Sequence, residues 1–226
     1  MTVALAAMCA LLGVPGGMLA NLLVDRIPDK QPLRPLPSPA ALAGSLRHVL
    51  VILTTMGLFA GAALRFGNWV VPAYLVFFVC LVSISVIDSK LQIIPNRIVY
   101  PTIFASVPLL AFAALVENEW SNFGHAMMGA SLAFVSLLVI HLISPSGMGF
   151  GDVRLSFVLG LFLGWISLGH VFTGMFLGVL LICAVGIVLA VLRLKSLQEH
   201  IAFGPFLAAG SILAVFAGEA IIRWWL

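Results

Sequence analysis

The chain alternates long apolar runs with short polar breaks. Eight runs stand out, at 3–24, 48–64, 70–87, 98–116, 125–143, 153–167, 169–192 and 201–222. A helix that crosses a bilayer needs about 20 mostly apolar residues. Most of the eight reach or approach that length, and the run at 153–167 is the shortest. The pattern predicts an all-α, polytopic membrane protein of about eight transmembrane helices, in a single integral-membrane domain over residues 1–226. No basic residue and no well-placed small-x-small cleavage site accompany the first run, so it reads as a retained helix and not a cleaved signal peptide. Residues 25–47 form the longest polar segment. Its prolines at 28, 32, 35, 37 and 39 predict an extended connector.

Orientation follows from where Lys and Arg fall in short loops. If the N-terminus starts outside, the odd-numbered connectors hold Arg26, Lys30, Arg34, Arg47, Lys90, Arg97, Arg154, Arg193 and Lys195, against Arg65 and Arg223 on the other side. That asymmetry places both termini outside and makes 25–47 a cytoplasmic loop. Trp69, Trp120, Trp165, Trp224 and Trp225 then fall at outer ends, as an aromatic belt would.

Composition agrees with the pattern. Hydrophobic residues make up 62 % and charged residues 8 %, with a mean hydropathy of +1.20. A soluble domain carries about 25 % charged residues, so a soluble enzyme, a disordered chain and a nucleic-acid partner are excluded. Cys9, Cys80 and Cys183 lie in apolar runs with no CxxC pair, which reads as buried thiols and no metal site. The histidines have no metal-ligand spacing. Each reads as interfacial or hydrogen-bonded within the bundle, with His141 the deepest and the candidate for a buried partner.

With so few charges, each acid can be weighed. Asp25 and Asp29 lie beside Arg26 and Lys30 and read as paired. Glu117 and Glu119 read as solvated. Asp88 and Asp152 differ: one ends the third run, the other opens the sixth, and the topology puts both at the same membrane surface. Two carboxylates meeting at an apolar boundary cannot both ionise easily and share a proton. Such a pair can activate water with one carboxylate and protonate a carbonyl with the other, with no cofactor for proteolysis. Gly147, Gly149 and Gly151 precede Asp152 and permit close approach and positive φ. A plain turn with Asp152 as helix N-cap accounts for the same string.

Four stretches together resemble the type IV prepilin peptidase family of GxGD membrane aspartic proteases. Gly149-Phe150-Gly151-Asp152-Val153-Arg154-Leu155 is similar to its GxGD segment. Asp88 to Asn96, with Ile94-Pro95-Asn96, is similar to its first aspartate motif. Gly17, Asn21, Arg26 and Pro28 follow its N-terminal signature, and Phe203 to Leu207 resembles its FGPFL string. The resemblance implies an endopeptidase of a prokaryotic cytoplasmic membrane that cuts basic leaders from prepilins or pseudopilins after a glycine, at the cytoplasmic face. Asp88 and Asp152 would be catalytic. Gly149, Gly151, Pro95 and Asn96 would shape the site, and Gly17, Asn21, Arg26 and Pro28 would mark a substrate or methyl-transfer region. Many members bind zinc through two CxxC pairs in a larger first loop; 25–47 has no cysteine, so no metal is expected. Many also methylate the new N-terminus with S-adenosylmethionine. The reduced loop departs from that pattern while the N-terminal signature is kept, which leaves methyl transfer open. Another GxGD intramembrane protease and a transporter with relay carboxylates are the competing readings. Gly160 with Gly164, and Gly174 with Gly178, have GxxxG spacing and predict close helix packing.

Overall fold

The computed structural model describes residues 2–28, 44–145, 148–192 and 202–225. Most of the proline-rich segment, with Asp29, Lys30 and Arg34, lies outside these residues, as do Gly147, Arg193 and Lys195. Among the described residues there are eight helices: α1 (Thr2–Arg26), α2 (Leu46–Arg65), α3 (Val71–Leu91), α4 (Asn96–Glu117), α5 (Trp120–Ile143), α6 (Phe150–Ile166), α7 (Leu168–Val191) and α8 (Gly204–Trp225). Seven are long and apolar enough to cross a membrane; α6, with 17 residues, is the short one. The chain is an all-α, polytopic membrane protein, as its apolar runs predict.

The helices fall into two compact units. The first holds residues 1–87 and 95–120, the second 88–94 and 121–226. In the first unit α1 lies directly on α2. A Cβ at Gly17 would come within 2.6 Å of the Ile52 Cα, so the glycine lets the two backbones approach. Inside a bilayer, where burial from water cannot drive helices together, such close packing is the main source of adhesion. Asn21 is fully buried, and its Nδ2 donates to the His48 carbonyl at 3.1 Å. Asp25 is paired with Arg47 and with His48, whose Nε2 lies 3.0 Å from it. The partners expected from sequence were Arg26 or Lys30; Arg47 and His48 take that place because the start of α2 lies beside the end of α1. Glu117 also differs from expectation. Its carboxylate accepts from the Trp69 N–H at 2.6 Å and from Asn68 Nδ2 at 2.8 Å, clasping the turn between α2 and α3.

In the second unit α6 is the most enclosed element, with buried positions on all its faces. It packs backbone to backbone on α5: a Cβ at Gly129 would meet the Gly160 carbonyl at 2.6 Å, and one at Gly164 the His125 carbonyl at 2.6 Å. Gly178 and Gly210 bring α7 and α8 together in the same way. Trp165 is buried on α6 and is no part of an interfacial belt, whereas Trp69, Trp120 and Trp224 are exposed. Cys183 is exposed, against the expectation of three buried thiols. Among the described residues His170, not His141, is the deepest histidine. It faces Ser167 across 2.7 Å, in space that Gly218 leaves open.

Candidate active site

Three helix ends meet within the second unit: the last turn of α3, the start of α6 and the start of α8. Helix α3 runs one turn further than its apolar run suggests, so Asp88 sits inside its final turn and not at its end. The helix stops because Gln92 takes a left-handed conformation (φ 53°), its N–H still bonded to the Asp88 carbonyl at 2.9 Å. Pro95 then disfavours helix at the residue before it.

The start of α6 is equally explicit. Gly149 is the N-cap, with φ −70° and ψ 144°. Asp152 is therefore in the first turn and is not the cap, a position where the helix end favours a negative charge. The GxGD glycines act through space and not through conformation. Among the described residues Gly67 alone of the glycines has positive φ. A Cβ at Gly151 would press on the Ile94 Cβ at 2.8 Å, and one at Gly149 would approach the Asp152 Oδ2 at 3.3 Å. Gly151 thus lets the segment after Asp88 lie against the segment that bears Asp152.

Both acids are buried, Asp88 at 4 % and Asp152 at 7 % exposure, and close enough to repel each other. Asp88 Oδ2 accepts the Gly204 N–H at 2.8 Å, across 116 residues of sequence. A Cβ at Gly204 would lie 2.9 Å from that same oxygen, so a glycine is what allows the bond. Asp152 Oδ1 is buried with no hydrogen-bond partner among the described residues. The loop before it is tied down: His141 Nδ1 lies 2.9 Å from the Met148 carbonyl, and Phe150 packs on the His141 ring and under the Arg154 guanidinium.

Of the residues singled out in the sequence, the fold brings Asp88, Asp152, Gly149 and Gly151 together. Pro95 caps α4 without a side-chain bond and Asn96 opens that helix; both belong to the first unit, as do Gly17, Asn21, Arg26 and Pro28. Sequence reasoning gave Gly204 no place in the site, although the FGPFL string contains it. His141 was noted for depth and not for holding the loop.

The type IV leader peptidase family matches residues 75–192, just over half the chain. The chain belongs to that family. Similar relatives include proteins named prepilin leader peptidase/N-methyltransferase. The one from Bacillus subtilis is 35 % identical over 77 % of this chain and 67 % of its own length. Those from Aeromonas hydrophila and Pseudomonas aeruginosa are 30 % and 32 % identical, each over 80 % of this chain and 62 % and 61 % of their lengths. This family member thus spans roughly two thirds or less of the relatives it matches. No solved structure matches it significantly. The family match contains both Asp88 and Asp152, whereas Gly204 lies beyond it.

Proposed function

We propose that the chain is a membrane aspartic endopeptidase that removes basic leaders from prepilins or pseudopilins at the cytoplasmic face of a prokaryotic inner membrane. The observation that carries this reading is the meeting of two buried carboxylates, Asp88 and Asp152, in one compact unit. In the reaction, one carboxylate takes a proton from water as the water oxygen attacks the scissile carbonyl. The other gives its proton to the carbonyl oxygen. The tetrahedral intermediate collapses as the amine leaves with the first proton, and the hydroxyl proton returns to the second carboxylate, restoring the pair. Burial favours this chemistry because a shared proton is stable only where two adjacent charges are costly.

The relatives' names also include N-methyltransferase. In this chain Gly17 lies against Ile52 and Asn21 Nδ2 donates to the His48 carbonyl, so the two residues of that N-terminal signature hold α1 against α2.

The test uses membranes containing the full chain and a peptide with a basic leader and a Gly-Phe junction. Wild type should cut after the glycine, and Asp88→Asn and Asp152→Asn should each abolish the cut while still inserting. Cleavage by either variant at the wild-type rate would falsify the assignment of that aspartate.

A further inference from the structure

The two carboxylates are not equivalent. Asp88 has one oxygen fixed by a backbone N–H at the start of a 22-residue helix. A backbone N–H donated to a carboxylate oxygen stabilises the ionised form over the neutral one. Asp152 Oδ1, by contrast, is buried and unpartnered among the described residues. An ionised oxygen there is uncompensated, whereas a protonated one becomes a donor. Among the described residues the groups acting on Asp88 are its burial and the Gly204 amide. Burial acts first on Asp152 and the charge of Asp88 adds to it, while the amides of Gly149 and of Asp152 itself act the other way.

We propose that Gly204 is a positioning residue that holds Asp88 as the ionised member of the pair, so that Asp88 is the general base and Asp152 the proton-bearing general acid. The proposal rests on the peptidase reading above and adds a direction to it. The water proton goes to Asp88, and the carbonyl oxygen receives its proton from Asp152. The amine then leaves with the proton held on Asp88, and Asp152 recovers its own from the collapsing intermediate. Gly204 never touches substrate; its N–H acts through Asp88.

Infrared spectroscopy of the full chain with carboxyl-labelled aspartate, at neutral pH, reads the protonation directly. A protonated-carboxyl band should be present in wild type, persist in Asp88→Asn and vanish in Asp152→Asn. Any other pattern overturns the assignment, including a wild type without the band. For Gly204, replacing the residue by glycolic acid turns its amide into an ester and removes the N–H without adding an atom. Gly204→Ala adds a Cβ 2.9 Å from the Asp88 Oδ2, which must shift to make room. Both should lower kcat about tenfold or more with KM little changed. Both should also move the acid limb of the kcat/KM profile to higher pH by about one unit, since Asp88 then ionises less readily. A merely structural glycine would reduce the amount of active protein and leave the pH profile in place; an ester variant with the wild-type profile removes Gly204 from the mechanism. Failure of wild type to cut the leader peptide would sink the peptidase reading instead, and the infrared pattern is measured independently of it.

Discussion

Asp25 and Asp88 both sit in the last turn of an apolar helix, yet their surroundings are opposite. Asp25, at the end of α1, is met by Arg47 and His48 from the first turn of α2. Asp88, in the final turn of α3, is met by a backbone amide and by a second acid. An acid answered by a guanidinium and an imidazole is settled by the fold and needs no further explanation. An acid buried beside a second acid is kept there at an electrostatic cost, and such arrangements concentrate at sites of chemistry. The contrast separates the two aspartates more sharply than burial alone, since structural carboxylates are also found shielded from water.

The largest expected effect breaks the comparison outright. Asp88→Asn and Asp152→Asn should each cost about 10²–10⁴-fold in the cleavage rate, and Asp25→Asn should leave it within about twofold, by mass spectrometry of the leader peptide. An equal loss in Asp25→Asn would erase the distinction between the two acids. Next comes pH. A pair that works with one proton loses activity when both acids are protonated and again when both are ionised. The rate should therefore fall by about tenfold per pH unit beyond each limb. A profile with a single limb would mean that only one carboxylate titrates in the reaction. Smaller is the effect of Gly160→Val. Crowding the α5–α6 contact should cost about 1–3 kcal/mol, read as a lowered unfolding temperature in detergent; an unchanged midpoint would show that the contact can relax. Smallest is the stability change in Asp25→Asn, under about 1 kcal/mol because the pair is partly exposed and screened. A larger drop would make that pair a principal support of the first unit.

Apolar run length made the eight helices legible, because a helix long enough to span the bilayer cannot be hidden in a sequence. Helix ends were less so. The extra turn that carries Asp88 ends at Gln92, where the break comes from a left-handed backbone that no glycine announces. Asp152 looked like a cap because the glycines before it invite one, but the cap is the glycine itself. The two acids and their glycines could be singled out because charge is so scarce here. What escaped depends on distant partners: Glu117 reaches back to Trp69, Asp25 to Arg47, and Gly204 to Asp88. Local composition cannot show these, nor can it show that Trp165 turns inward while Trp69 turns out.

The contact between Gly204 and Asp88 has a consequence for heredity as well as for chemistry. Any side chain at 204 falls on the Asp88 carboxylate oxygen, so a change at one position is felt as damage at the other. Two sites 116 residues apart should therefore behave as a single genetic unit. Gly204→Ala, harmful alone, should add almost nothing to cleavage loss in an Asp88→Asn background, the non-additivity expected of groups that act through one another.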